Sequence, residues 1–518
     1  MTEKRQFRAI KGTRDILPPD SALWNWVEQT AREVFDTYGF RDIRLPIFEE
    51  TSLFARSVGT DTDIVSKEMY TFEDRETAIS WPEAASELLP FVENLEKGML
   101  NGTIPANQLN VAFVNALKRD LIGEFEAANE IVRTPSPDAR EQLERKLREI
   151  QDAMSQFVPL ARDLRLGTDV SMRPEATAGS VRAYIEHGMH ALPGNVKLYY
   201  TGPMFRRERP QKGRYRQFYQ IGAEVLGPSD APAIDAEILE MLLVFFARVG
   251  LTKTTLYVNS IGCKECRPKY VELLREELRK VKDQLGPDSQ RRIETNALRV
   301  LDSKLPHEQP IIETLPRISG HLCPACSEHF SKLKDELKLR NLAYQENWRL
   351  VRGLDYYTRT TFEVTAEGLG SQNAVCGGGR YDGLVELLGG QPGVKGIGFA
   401  IGTDRAILSI QESGNLPPLP GLAVFVAWMG AKAYPVAVSI TRKLRARGFA
   451  VELPPEELKL KKSLGLADKL GARSALIIGE DEAASGTYTL KRLADAEQKK
   501  LSEGELLEHL GAERKGSG

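Results

Sequence analysis

An α/β protein, with an α+β core followed by a smaller α/β domain, is what the sequence predicts, on three observations. Strand-like alternation and the three-and-four spacing of amphipathic helices interleave along most of the chain. A proline-rich stretch, Pro417-Pro418-Leu419-Pro420, sets off a C-terminal run of strand, helix, strand, helix and strand. The length of 518 residues, 42% of them hydrophobic, allows three or four folded units at roughly 150 residues each.

The elements follow in order. Trp24, Val27, Ala31, Val34, Phe35 and Tyr38 line one face of a helix that Gly39 stops. Residues 40–46 alternate as a strand ending at Pro46, and 69–75 read as a second strand. From 78 to 165 strand alternation disappears. Leu109, Phe113, Leu117, Leu121 and Phe125, then Leu143, Leu147, Ile150, Met154 and Phe157, predict a helical hairpin broken at Thr134-Pro135-Ser136-Pro137. Strands resume at 196–201 and 215–225, with a helix over 233–249. Residues 251–345 mix a strand at 255–259 with charged helices and read as a small domain inserted in the larger one. A strand at 362–365 returns to the core. Beyond the linker, strands at 422–428, 449–453 and 475–478 alternate with helices at 434–447 and 459–470, which predicts a largely parallel sheet over 421–518.

Lysine plus arginine (70) nearly balances aspartate plus glutamate (72), so no chain-wide field holds a polyanion. Nucleic-acid contact must therefore be local. The stretch 78–165 carries 14 acidic against 10 basic residues and is a poor grip for phosphate; it reads as a solvated insertion packed on itself or as a protein contact. The N-terminus has neither a secretory signal nor an anchor, and the apolar run 422–430 is strand-sized, so a soluble, cytoplasmic protein with no membrane partner is expected.

Residues 205–216 hold six basic side chains against one acidic, framed by two strands. An arginine leaving a strand end presents its fork in one direction, which suits a phosphate; a solvated basic turn is the plainer alternative. A second group joins Leu350-Val351-Arg352-Gly353-Leu354-Asp355-Tyr356-Tyr357 to the cluster Cys376-Gly377-Gly378-Gly379-Arg380-Tyr381-Asp382-Gly383, whose glycines admit a backbone or ligand closely. It is neither a Walker loop nor a dinucleotide turn. A third group, Gly396 to Leu408, leads into a helix carrying Asp404 and Arg405.

Together these motifs resemble the class II aminoacyl-tRNA synthetases, and within them the histidine-specific enzymes. Lys11 to Pro18 resembles that family's N-terminal signature, and the helix-strand element ending at Pro46 resembles motif 1, the dimer-forming element. Residues 205–220 resemble motif 2, 396–408 motif 3, and 350–357 with 377–383 the two histidine-specific signatures. The resemblance implies an antiparallel catalytic sheet flanked by helices, built from 1–77, 166–250 and 346–416, with helical insertions and a C-terminal anticodon-binding domain over 421–518. It also implies a homodimer that ligates L-histidine to its tRNA through histidyl-adenylate, consuming ATP with Mg²⁺. Carried onto this chain, the catalytic cations are Arg206 and Arg352, and the ATP contacts are Arg206, Glu208 and Arg405. In the histidine-binding set, Glu175, Thr177 and Gln220 would hold the α-ammonium, Arg206 would meet the carboxylate, Arg352 would supply a second cation on the other side of the α-phosphate, and Glu224 and Tyr357, with Tyr356 beside them, would read the imidazole. Gln211 and Arg216 would meet the tRNA acceptor end. Ala176 stands where many relatives carry glycine. A histidine-binding regulatory relative lacking the arginine signatures, and a purely RNA-binding scaffold, are the competing readings.

Four of the five cysteines form two pairs, Cys263-Lys264-Glu265-Cys266 and Cys323-Pro324-Ala325-Cys326. The spacing suits a tetrahedral structural Zn²⁺, and free thiols or a redox pair remain open beside it. Cys376 reads as a small buried side chain.

Overall fold

The structure is a computed structural model. It describes residues 7–73 apart from 60, 61 and 63, scattered positions between 127 and 148, and 169–515 apart from 355, 368–372, 415 and 418–420. Apart from those scattered positions, the predicted helical hairpin over 78–165 lies outside the described residues, as does the centre of the proline linker. Two compact units result, one of residues 1–17 with 27–415 and one of 18–26 with 416–518.

The first unit is organised by an eight-stranded sheet in the order β1-β5-β6-β11-β10-β9-β7-β8. Its strands are β1 (Arg41–Asp42), β5 (Val196–Phe205), β6 (Gln217–Gly227), β7 (Thr254–Ser260), β8 (Gln345–Glu346), β9 (Thr358–Ala366), β10 (Ala374–Arg380) and β11 (Lys395–Gly402). Pairing from β5 to β7 is antiparallel throughout, as the class II resemblance implies, and only the two short edge strands run parallel to their neighbours. The strand expected over 40–46 shrinks to the two residues of β1, because Pro46 and its neighbours cannot continue a ladder. The glycine triplet, unassigned from sequence, lies inside β10 at the centre of the sheet.

Helix Asp20–Thr37 delivers Phe35 against Tyr199, Phe245 and Phe399, with ring centroids 5.6, 6.0 and 5.9 Å away. These side chains are almost entirely buried, and each contributes about 1.5–3 kcal/mol by leaving water. Behind them, helix Pro232–Arg248 buries Ile238, Leu239, Leu242, Phe245 and Phe246. Residues 251–345 belong to this unit yet have their own apolar cluster. Tyr270, Leu274 and Leu278, spaced by four on helix Arg267–Lys280, pack there with Leu285, Ile293 and Ile312, and Tyr357 joins them.

A second, three-stranded sheet has the order β2-β4-β3, from β2 (Phe48–Glu50), β3 (Tyr70–Glu73) and β4 (Asp169–Met172). Antiparallel pairing sets Glu73 opposite Asp169. The two residues that flank 74–168 are therefore neighbours across the pair of strands.

In the second unit, β12 (Val424–Trp428) lies between and parallel to β13 (Val451–Glu452) and β14 (Ser474–Ile478). The prediction missed an antiparallel continuation, β15 (Thr487–Arg492) and β16 (Gln498–Ser502), followed by helix Glu503–Lys515. β16 alternates exposed and half-buried residues, Gln498-Lys499-Lys500-Leu501-Ser502, and offers almost no apolar signal.

Candidate active site

Sheet register creates the floor of the site. Gly222 of β6 pairs with Ala400 of β11, which pairs with Gly377 of β10, so three of the smallest residues stand side by side on one face. Gln220 and Glu224 flank Gly222 on the same face, and Glu363 of β9 pairs with Gly377. Above this floor lies a cavity of about 360 Å³. Glu175, Thr177, Arg206, Glu208, Gln220, Arg352, Tyr356, Tyr357 and Arg405, all singled out from sequence, line it.

Each arginine is held from behind. Arg206, just beyond the end of β5, donates from Nε to the Pro174 carbonyl at 2.9 Å and lies over the Phe218 ring at 5.2 Å. Arg352 donates from Nη1 to Glu363 at 3.1 Å, while its buried Nε has no partner among the described residues. Its guanidinium occupies the space that a side chain on residue 377 would fill, since a Cβ there would sit 2.2–2.4 Å from the guanidinium atoms. Gly377 thus makes room for this arginine. Arg405 opens helix Thr403–Ser413 and is tied by Nη1 to the Ala374 carbonyl at 2.8 Å. Burial and the neighbouring Arg214 lower its proton affinity, with Glu208 opposing. Glu208 sits between cations, 3.2 Å from Arg214 and 4.0 Å from Arg206.

The histidine-reading candidates form a connected set. Glu175 accepts from the backbone N–H of Thr177 at 2.7 Å and of Ala178 at 3.0 Å, capping helix Thr177–Glu186. Glu224 does not line the cavity; it lies beneath it, 1% exposed, accepting from Thr177 Oγ1 at 2.8 Å and from Tyr381 OH at 2.6 Å. Gly398 opposite it makes that position possible, because a Cβ there would approach Glu224 Oε2 to 1.7 Å. Tyr356 and Tyr357 pack with ring centroids 4.7 Å apart and planes tilted by 50°, and Tyr356 meets Tyr381 edge-on at 5.9 Å. The side-chain oxygens of Gln220 and Tyr200 are buried without a partner among the described residues, two polar atoms free for a ligand.

Burial raises the Glu224 carboxyl to about 8; hydrogen bonds from Tyr381 and Thr177 oppose the shift and Glu175 adds to it. Burial also pushes Glu175 and Tyr357 up, Tyr357 to about 12. For Glu224 the folded value lies above the unfolded 4.5, so the stability its proton brings is complete below that value and is lost as pH rises toward 8. Denaturant unfolding from about pH 5 to about pH 9 should show wild-type stability declining relative to Glu224→Gln, whose amide carries no such proton. A difference that stays constant over the range would remove this assignment.

Other predicted residues fall elsewhere. Gln211 is exposed at the tip of the 206–216 loop, where it exchanges backbone hydrogen bonds of 3.0 and 2.9 Å with Arg214. Arg216 stands at the foot of that loop, its stem against Gly12 and its N–H on the Gly12 carbonyl at 2.7 Å. The four paired cysteines gather in a separate cluster, each sulfur within 4.8 Å of the others.

Sequence reasoning passed over Tyr200, Tyr381 and Asp404. Tyr381 lies in the quoted glycine segment, yet only the fold aims it at Glu224. Asp404 receives Arg14 at 2.8 Å and the Tyr219 N–H at 2.9 Å, which gives the N-terminal signature its structural purpose. Arg14 and Gly12 together pin the strand leaving the basic loop.

With this geometry in view, the comparisons are decisive. A family model described as "Histidyl-tRNA synthetase" matches residues 110–406, more than half of the chain, and one described as "Anticodon binding domain" matches 423–513. The chain belongs to the histidyl-tRNA synthetase family. Among curated relatives, the histidine--tRNA ligase of Koribacter versatilis is 45% identical over 96% of this chain and 95% of its own. That of Solibacter usitatus is 43% identical over 98% and 99%. The crystal structure of apo histidyl-tRNA synthetase from S. aureus superposes with a TM-score of 0.67 at 29% identity, covering 98% of this chain and 100% of that one. As a histidyl-tRNA synthetase the chain has the antiparallel core and separate C-terminal unit of the class II enzymes, and among the described residues no helix is long and apolar enough to cross a membrane.

Proposed function

We propose that the cavity over Ala400 and Gly377 is where this chain activates histidine, with Arg206 and Arg352 as its catalytic cations. The enzyme ligates L-histidine to its tRNA in two steps, with consumption of ATP and release of AMP and pyrophosphate. In the first, an oxygen of the histidine carboxylate attacks the α-phosphorus of ATP and the bond to the pyrophosphate oxygen breaks. A carboxylate is already a nucleophile, so no general base is needed, and the work is alignment and offsetting of phosphoryl charge. Arg206 and Arg352 supply that charge, and Arg405 takes the far end of the triphosphate. Glu208 and Glu363, carboxylates lining the same cavity, fit a magnesium ion carried on the nucleotide, which would offset the charge of the leaving pyrophosphate. In the second step the tRNA 3′ end attacks the histidyl carbonyl and AMP leaves.

Selection of histidine follows from the buried polar set. Glu175 and Gln220 accept from the α-ammonium and Tyr357 addresses a ring nitrogen, while Glu224, beneath the cavity, acts on the pocket only through Thr177 and Tyr381. An apolar amino acid would leave these buried groups unpaired, a penalty that rejects it strongly. Gln211 at the loop tip and Arg216 at its foot face the acceptor end, the C-terminal unit reads the anticodon, and a homodimer acts in the cytoplasm, where its tRNA is found.

The observation that carries this reading is the convergence of Arg206, Arg352 and Arg405 on one cavity floored by small residues. Histidine-dependent exchange of pyrophosphate into ATP tests it, and its absence in well-folded protein would end it. Because Glu73 faces Asp169 across a hairpin, replacing 78–165 with a short turn should leave exchange within a few-fold of wild type.

A further inference from the structure

The four paired cysteines lie 56 residues apart in sequence as two knuckles, yet their sulfurs come together in one cluster. Cys263 Sγ is 3.8 Å from both Cys266 Sγ and Cys323 Sγ. Four thiolates around Zn²⁺ at about 2.3 Å define a tetrahedron with edges of about 3.8 Å, whereas a disulfide needs about 2.05 Å. The surroundings suit anionic sulfur. The N–H of Cys263 donates to Cys266 Sγ at 3.3 Å and that of Glu265 to Cys263 Sγ at 3.4 Å. Cys266 directly precedes helix Arg267–Lys280 and Cys323 directly precedes helix Pro324–Leu339, so both pairs sit at positive helix ends. Cys266 and Cys326 are buried, which limits access by oxidants.

The cluster is also wired to the histidine pocket. Arg267, one residue beyond Cys266, donates from Nη1 to the Tyr357 carbonyl at 2.5 Å. Gly262, one residue before Cys263, accepts from the Arg359 N–H at 2.8 Å and from Thr358 Oγ1 at 3.2 Å. The backbone on both sides of the cysteine knuckle thus holds the three residues that follow Tyr356.

We propose that Cys263, Cys266, Cys323 and Cys326 bind one Zn²⁺ as a tetrathiolate, and that this ion positions the Tyr357 segment through Arg267 and Gly262. The second half rests on Tyr357 being an imidazole contact; the first half does not.

The full-length protein, purified without added zinc, should contain about one zinc per chain by elemental mass spectrometry, falling well below that in Cys263→Ser and in Cys323→Ser. Exchange of the metal for Co²⁺ should give the visible absorption of tetrahedral cobalt thiolate, which either serine variant weakens. Well under one zinc in folded wild type, or cobalt without that absorption, overturns the site. Removing the metal should raise the histidine KM about tenfold or more while the ATP KM changes little, and Arg267→Ala should reproduce the rise with zinc still bound. An unchanged histidine KM in both overturns the coupling. Tyr357→Phe separates the two readings: if it too leaves the histidine KM unchanged, the imidazole assignment has failed, and the zinc measurement stands on its own.

Discussion

Arg352→Ala should lower histidine-dependent pyrophosphate exchange by about 10³-fold or more in kcat/KM, mostly through kcat, with the melting midpoint close to wild type. The size follows from its place. A guanidinium already held against Glu363 and seated over Gly377 needs no rearrangement to meet charge developing on the phosphoryl group. Arg352→Lys should recover little, because a single ammonium cannot reproduce a planar fork set over the sheet. Gly377→Ala should imitate the loss while leaving every charge in place, since its methyl group would displace the guanidinium. Exchange within tenfold of wild type in Arg352→Ala would take this residue out of the catalytic set.

Arg380→Ala should destabilise the first unit by about 3–5 kcal/mol in urea unfolding, the largest expected loss of stability from one side chain here. Arg380 and Asp235 are both fully buried and joined at 2.5 Å, with Asp382 accepting from Arg380 Nε at 3.3 Å. Removing the cation leaves the Asp235 charge in the interior, its nearest other cationic candidate being His329 at 3.8 Å. Burial lowers the proton affinity of that histidine, with Asp235 opposing. The double variant Asp235→Leu with Arg380→Leu should recover much of the loss, since a buried pair is replaced by apolar volume without stranding a charge. A change below about 1 kcal/mol in the single variant would show that water reaches Asp235.

The histidine pocket was legible to different depths in different residues. Arg206, Arg352 and Arg405 stood out because each falls in a dense local motif, and the motifs carry the family resemblance. Gln220 and Glu224 were named through the family resemblance alone; the strand's period of two then puts both on one face. Tyr381 and Asp404 were printed in the same motifs and still missed, since their purpose lies in partners 157 and 185 residues away, Glu224 and Tyr219. The antiparallel end of the C-terminal sheet escaped because β16 is mostly Gln and Lys on an edge, where solvent exposure removes the hydrophobic signal.

The sequence by itself determined the class of chemistry: an arginine at a strand end, a second before a tyrosine pair, and a third at a helix start are local patterns, and local patterns survive in one dimension. It also determined the helices over 24–38, 233–249, 434–447 and 459–470, whose apolar spacing is a property of neighbouring residues. Only the tertiary structure decided where the glycines act. Gly377 belongs to Arg352, Gly398 to Glu224, and Gly222 to Tyr200, through the register between strands. The same holds for the four sulfurs, whose two pairs suit a metal by spacing but meet at one point only in the fold. The physical reason is common to both: a missing side chain or a soft ligand has meaning only through what fills the space beside it, and that neighbour is chosen by the fold.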